Sequence, residues 1–509
     1  MLATVLSAAY LGIEAYPVHI EVDVAFGLPQ FNVVGLPDIS VKESRERVKS
    51  AIKNSGFQFP PDKITMNLAP ADIKKEGPSF DLPIAVGILA ASGVIPAEKL
   101  KSMLLLGELA LDGSLRPFRG AFMIASSLAK YHSLIFPYEN AEEGSLVQNA
   151  TVYPARTLKE VVRFLTGEIT IAPFSNSPQA AIMSPPSSAY LDFSDVKGQP
   201  FAKRAIEISV AGGHNLLLIG SPGSGKTMLA KRIPSILPPL SIKEATEITK
   251  IYSATGLLTE HRGLVRERPF RAPHHTASAV ALVGGGTWPK PGEISLAHQG
   301  VLFLDEFPEF RRDVIEALRG PLEDGVITVS RIKSQITYPA SFMLVASMNP
   351  CPCGYLSDPK RTCRCSLSQI LKYQTKISGP ILDRIDLHVE VPPVSYPTLQ
   401  NSRIEESSQT IRERILMCRK IQSERFTGRD TRLNSLMHGR DIKQFVKLDD
   451  SSDALLEKAM KELHLSARAY FKILKIARTI ADLAASESIG VAHIAEAIQY
   501  RTLDRQWAR

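Results

Sequence analysis

A run of apolar residues, Leu216–Ile219, passes directly into GSPGSGKT at Gly220–Thr227, and this junction constrains the chain more than any other part of it. An apolar run without polar alternation reads as a strand buried on both faces, the kind found in parallel sheets covered by helices. The turn after it satisfies G-x-x-x-x-G-K-[ST] in full. Its glycines let backbone N–H groups face inward around phosphate oxygens at the start of a helix. Gly220, Ser221, Pro222, Gly223, Ser224 and Gly225 make the cradle, Lys226 reaches the β- and γ-phosphates, Thr227 offers a hydroxyl to Mg²⁺, and Met228 continues into the helix.

A second apolar strand, Val301–Leu304, ends in Asp305 and Glu306. Downstream of a complete phosphate loop, the two carboxylates can divide the work. Asp305 holds Mg²⁺ and Glu306 polarises the attacking water, so the chain is expected to hydrolyse a nucleoside triphosphate, ATP before others. A third strand, Phe342–Ala346, leads to Asn349, which is read as a sensor that orients the water. Arg384, within GPILDRID, is expected to reach the γ-phosphate of a neighbouring subunit; an ion pair with Asp383 or Asp386 is its competing role. Arg468, at a helix start in LSAR, is preferred to Arg478 as a second sensor arginine.

Composition narrows the class. With 44% apolar and 22% charged residues the chain is neither a disordered tail nor a small disulfide scaffold. Its longest apolar stretch, Leu82–Pro96, is shorter than the roughly 18–20 residues of a spanning helix, so no membrane partner is expected. The N-terminal run has no basic leader and reads as a strand. The net charge of +8 lies in the middle and C-terminal parts, because the first 173 residues are slightly acidic; that distribution suits a polyanionic partner.

One linker is plain at 174–191, which is rich in Ser, Pro and Ala and carries no charge. A softer boundary lies in the proline-rich stretch Val391–Gln400. Beyond it, helical patterns cover Gln409–Glu424, Ser452–Leu463, Ala467–Ala485 and Val491–Tyr500. Before the linker, strand runs at Val18–Val24, Phe31–Val34 and Ile64–Leu68 alternate with helical ones, including Val41–Asn54 with Ser40 as its N-cap.

Four of the five cysteines fall at Cys351, Cys353, Cys363 and Cys365. In a reducing compartment, clustered thiols point to metal before disulfide, and four sulfurs make a tetrahedral site for structural Zn²⁺. The C-x-C spacing is tighter than the usual C-x₂₋₄-C. Lys360, Arg361 and Arg364 would make the loop a knob able to touch DNA.

Taken in order, GSPGSGKTMLAKRIPSILPPL, RPFRAPHHTAS, GEISLAHQGVLFLDEFPEF, VASMNPCPCG, GPILDRIDLHVEVP and LSARAYFKILKIARTIADL resemble the ComM/YifB family of magnesium-chelatase-like AAA+ ATPases. The resemblance spans nearly the whole chain. It implies an α/β architecture with an N-terminal Lon-protease-like α+β domain (1–173), a central AAA+ αβα P-loop NTPase (192–394) and a C-terminal helical lid (395–509). It further implies a bacterial, cytoplasmic, hexameric ring that uses ATP and Mg²⁺ to drive branch migration of DNA during natural transformation. Related AAA+ motors carry a helix-2 insert, here His274–Gly292, and a pre-sensor hairpin, here Gly325–Tyr338. Arg331 and Lys333 at the hairpin tip are the DNA-contact candidates, set against a merely solvated tip. His274 and His275 lack an acidic or cysteine partner at ligand spacing and are read as insert structure.

The N-terminal segment, with GPSFDLP at Gly77–Pro83, is similar to the Lon-type protease fold. Ser79 takes the serine position, but the lysine base would fall on Ile124, which cannot deprotonate a hydroxyl. Peptidase activity is therefore not expected, and Ser79 is read as a helix cap. Two further readings stay open beside the DNA motor: a magnesium-chelatase motor subunit, and an ATP-switched scaffold that binds branched or single-stranded DNA without moving it.

Overall fold

Branched residues that alternate along the chain build the first sheet. Leu2–Leu11 (β1) and Glu14–Ala25 (β2) pair antiparallel, with Val5 opposite Ile20 and Ala3 opposite Val22, all buried. Gln30–Val34 (β3) and Lys63–Ala69 (β4) widen the sheet on one side. Met103–Leu105 (β5), Ser133–Pro137 (β6) and Val152–Ala155 (β7) widen it on the other, giving the order β3-β4-β2-β1-β5-β6-β7. The computed structural model describes residues 1–35, 39–70, 77–129, 132–148, 150–174, 191–260, 264–286, 290–331, 334–356, 358, 361–400, 405–429, 431–463 and 465–501. Most of the linker 174–191 therefore lies outside the described residues.

The apolar stretch that begins at Leu82 becomes a helix, Asp81–Ala91, buried at every residue. Gly87 lets it approach the sheet: a Cβ there would lie 2.7 Å from Val22 Cγ2. Asp81, fully buried, is met by the Arg47 guanidinium at 2.7 Å from the helix Ile39–Asn54. That helix already includes Ser40, so Ser40 lies inside its first turn and not at the cap. Ser79 is not a cap either. It sits in a 3₁₀ turn, Pro78–Phe80, that runs straight on, so the N-cap falls on Phe80 with no side-chain hydrogen bond. Ile124 is buried in the helix Ala121–Leu128. No helix among the described residues is long and apolar enough to cross a membrane.

The chain forms two compact units, one of Met1–Pro185 with Ser241–Arg266, the other of Pro186–Leu240 with Glu267–Arg509. The segment 241–266 thus groups with the N-terminal unit, although it follows the phosphate loop in sequence. Its helix, Ile242–Thr255, is closed at the start by a capping box between Ser241 and Glu244, and buries Ala245, Ile248, Ile251 and Tyr252. At its far end Ser253 Oγ donates to Glu143 Oε1 at 2.7 Å, and the Phe122 N–H donates to the same oxygen at 3.0 Å. Burial pushes the Glu143 carboxyl above the usual range against these hydrogen bonds.

The second unit has a parallel sheet of Leu216–Ile219 (β8), Phe270–Arg271 (β9), Val301–Leu304 (β10), Met343–Met348 (β11) and Leu387–Glu390 (β12) in the order β9-β10-β11-β8-β12. Helices Ser408–Arg425 (α1), Ala467–Leu483 (α2) and Val491–Gln499 (α3) match the expected lid patterns to within two residues. Ile411, Ile415, Ile473, Ile480 and Ile494 from these helices join Leu216, Phe303, Val345 and Val389 from the sheet in one core.

Asp386 fastens α2 to the sheet. Its carboxylate lies 2.8 Å from Lys472 Nζ and accepts from the Asn215 N–H at 2.9 Å. Burial opposes its charge, but Lys472 and His214 outweigh burial and hold the carboxyl well below the usual range. Asp386→Ala strands a buried ammonium and is expected to destabilise this unit by about 3 kcal/mol, read by denaturant melting. Because the folded pKa is depressed, the stabilisation is complete above about pH 4, the unfolded value, and fades as pH falls toward the folded one.

Candidate nucleotide site

The strand order decides which side chains can meet. With β8, β11 and β10 adjacent and parallel, the residues just past their carboxyl ends lie side by side. Those residues are the phosphate loop, Asn349 and the Asp305–Glu306 pair. Gly220 enters the loop where a Cβ would sit 2.3 Å from the Val391 carbonyl oxygen. Gly223 and Gly225 adopt left-handed φ values of 78° and 96°, which turn the loop back to start the helix at Lys226.

Lys226 is buried, and its Nζ donates to the Gly220 carbonyl at 2.7 Å and the Ser221 carbonyl at 3.0 Å. Asn349 Oδ1 accepts from it at 3.3 Å. Burial pulls the ammonium below the usual lysine range, with Asp305 and Glu306 opposing. Thr227 Oγ1 donates to Asp305 Oδ2 at 2.7 Å, and Asp305 Oδ1 accepts from Ser347 Oγ and from the Glu306 N–H at 3.1 Å. Met228, the residue after the motif, is 40% exposed. Two buried hydroxyls of the loop, Ser221 Oγ and Ser224 Oγ, have no hydrogen-bond partner, so the cradle holds donors in reserve for incoming oxygens. The residues fit a triphosphate with Mg²⁺: Thr227 and Asp305 would hold the cation, Lys226 and the loop N–H groups the phosphates.

Glu306 stands in an αL conformation at φ 52°, uncommon for a residue with a side chain, and its carboxylate is 57% exposed. Its Oε2 lies 3.4 Å from His275 Nδ1. The His275 ring lies against His274 with centroids 4.1 Å apart and planes tilted by 34°, and meets Phe310 edge-on. His275 thus has an acidic neighbour in space, a contact that leaves its place in the insert unchanged. The partner is 31 positions away in sequence, beyond any ligand spacing; the usable signal is that His275 follows β9, the neighbour of the strand that bears Glu306.

Arg384 does not make the ion pair foreseen as its competing role. It pairs with Glu323, on the helix Arg319–Asp324, not with Asp383 or Asp386. Its Nη1 donates to the Pro380 carbonyl at 2.7 Å, and its buried Nε has no partner. Arg468 is 61% exposed, with Nη1 3.3 Å from Asp383 Oδ2. Arg478 is buried and bound to Asp482 and to the Ser486 and Glu487 carbonyls. In the hairpin, Val326–Arg331 pairs antiparallel with Ser334–Pro339, Arg331 opposite Ser334; Lys333 lies outside the described residues, and for Arg331 only the backbone is described. The sulfurs of Cys351, Cys353, Cys363 and Cys365 all lie within 4.8 Å of one another.

Three family descriptions match along the chain: "Subunit ChlI of Mg-chelatase" over residues 20–140, "Magnesium chelatase, subunit ChlI" over 192–399 and "Magnesium chelatase, subunit ChlI C-terminal" over 405–501. Competence protein ComM of Haemophilus influenzae is 47% identical over 508 residues, 99% of this chain and 98% of that relative. Uncharacterized protein YifB of Salmonella typhimurium is 46% identical over 506 residues, with coverage of 99% and 98%. Magnesium-chelatase subunit ChlI of Cyanophora paradoxa is 24% identical over 282 residues, 49% of this chain and 74% of that relative. Lys226→Ala is expected to weaken nucleotide binding by about 10- to 100-fold without lowering the melting temperature; a fluorescent ATP analogue titration and a thermal melt check both halves.

Proposed function

Because the chain belongs to the ComM/YifB family of magnesium-chelatase-like AAA+ ATPases, we propose that it is an ATP-driven hexameric DNA motor promoting branch migration of recombination intermediates, as in integration of incoming DNA during natural transformation. The observation that carries the ATPase part is the meeting of Lys226, Thr227, Asp305, Glu306 and Asn349 at adjoining strand ends. The DNA part rests on the name of the Haemophilus influenzae relative and on the basic middle and C-terminal parts of the chain.

Lys226 exchanges its two loop carbonyls for phosphate oxygens, and Ser221, Ser224 and the loop N–H groups complete the cradle. Thr227 and Asp305 would hold Mg²⁺, which when bound would supply charge neutralisation for the phosphates. Glu306 takes a proton from the attacking water, with His275 fixing the carboxylate and Asn349 fixing the water. Arg384 of one subunit serves the next subunit's site by leaving Glu323; its unpartnered Nε supports a guanidinium with donors to give. Arg468 joins from the lid. Arg331 and Lys333 on the hairpin contact the DNA backbone. The same reading gives the four-cysteine loop a structural Zn²⁺, supported by the convergence of its sulfurs. The protein is expected to work in the cytoplasm.

A magnesium-chelatase motor is the second reading, favoured by the three family descriptions. It predicts hydrolysis that is indifferent to DNA. The deciding experiment mixes the protein with a labelled four-strand junction with ATP, without ATP, and as Glu306→Gln. The motor reading expects ATP-dependent strand exchange, lost in Glu306→Gln together with a fall in hydrolysis of about 100-fold or more at retained nucleotide affinity. Junction binding without exchange would leave the scaffold reading in place. His275→Ala is expected to lower kcat about 10-fold with nucleotide affinity unchanged, and equal losses in both would contradict its role on Glu306.

A further inference from the structure

The four-cysteine loop grows out of the nucleotide site at one end and is tied back beside it through a helix at the other. Strand β11 stops at Met348, Asn349 follows, and Cys351 is the second residue after that sensor. Cys351 is wholly buried. Its Sγ lies 3.4 Å from Cys353 Sγ and 3.7 Å from Cys363 Sγ, and Cys353 lies 3.6 Å from Cys363. Four sulfurs around one Zn²⁺ at about 2.3 Å stand about 3.8 Å apart, so the spacing suits a shared ion, and all four thiols are free.

Two contacts tie this cluster to the phosphate machinery. The first runs through Gly354, in the left-handed region at φ 83°, where a Cβ would lie 2.5 Å from Pro222 Cδ. Only a glycine lets the loop backbone rest on the phosphate loop at this point. The second runs through the helix Leu367–Gln374, which starts at Ser366, directly after Cys365, and is closed by a capping box with Gln369. From its last residue, Gln374 Nε2 donates to the Pro350 carbonyl at 3.3 Å, between Asn349 and Cys351. One pair of cysteines is thus joined to Asn349, the other to the helix that holds Pro350. What closes the loop between the pairs is the sulfur cluster.

We propose that one Zn²⁺, bound by Cys351, Cys353, Cys363 and Cys365, is a brace for the nucleotide site, which fixes Asn349 and Pro222 and so sets the rate of ATP hydrolysis. This rests on the zinc reading of the loop given above and extends it from stability to turnover. On binding, Zn²⁺ replaces four thiol protons and forms four Zn–S bonds, leaving a doubly negative centre beside Arg361 and Arg364. No redox change is involved. Loss of the ion frees the loop ends, and a displacement of Asn349 by an ångström is enough to cost turnover about 10- to 100-fold.

The test uses the full chain without DNA, so that it does not depend on motor activity. Zinc is counted per chain by elemental analysis before and after extraction with a zinc-selective chelator that leaves Mg²⁺ in solution. Basal ATP hydrolysis and hydrogen exchange over 216–228 and 343–356 are followed through extraction and zinc return. The brace expects one zinc per chain, a loss of turnover of about 10-fold or more on extraction, faster exchange in both segments, and recovery of all three with Zn²⁺. Cys363→Ser/Cys365→Ser, which leaves the residues beside Asn349 intact, is expected to match the extracted protein. Stoichiometric zinc whose removal changes neither turnover nor exchange overturns the brace and leaves the zinc reading standing. No zinc in the purified chain overturns both.

Discussion

An ammonium taken out of water must be met by oxygen, and around Lys226 the second unit is arranged to meet it. The nitrogen is held by two carbonyls of its own loop and by Asn349, while Asp305 and Glu306 supply the negative field. That arrangement requires three strand ends in one place, which only the parallel order β10-β11-β8 provides. The apolar strands, the close approach at Gly220 and the left-handed turns at Gly223 and Gly225 follow as conditions for keeping it. Because the ammonium already has oxygen partners, the proposed nucleotide binding would exchange oxygens around it.

Legibility in the sequence followed the distance over which each interaction acts. The phosphate loop, the Asp305–Glu306 pair and the lid helices are written in local patterns: apolar runs, glycine turns and a period near 3.6. Ser79 shows where local patterns mislead. A serine ahead of an apolar helix looks like a cap, but the turn there is already helical, and the serine's carbonyl is used instead by the Gly107 N–H at 2.9 Å. His275 was hidden because β9 has only two residues, too few to announce a strand that delivers a side chain to Glu306. Arg384 offered two adjacent carboxylates and chose Glu323, 61 positions earlier on the helix Arg319–Asp324, a tertiary choice invisible to spacing.

The same contrast separates the two cationic groups of the lid. Arg425 from α1 and Arg478 within α2 both converge on Asp482, whose side chain is fully buried; Arg425 ties α1 to α2, and Arg478 ties α2 to the Ser486 and Glu487 carbonyls just beyond it. Arg468 faces solvent at the start of α2, with one acceptor at 3.3 Å in Asp383. A buried guanidinium with its donors satisfied stabilises a fold, whereas an exposed one with donors left over can change partner. Burial and donor count, not the presence of arginine, distinguish the two.

The allegiance of the helix Ile242–Thr255 bears on how this chain can be cut. The polypeptide crosses between its two units three times, near 185, 240 and 266. A truncation that discards the first 185 residues does not yield a bare ATPase. It leaves behind a helix whose Ala245, Ile248, Ile251 and Tyr252 have lost the surface that buried them, and a Ser253 hydroxyl that has lost Glu143. Such a fragment would carry a new sticky face on the helix Ile242–Thr255, downstream of its own phosphate loop. Insolubility or inactivity of that fragment would report the orphaned helix, and says nothing of what the N-terminal unit contributes to function.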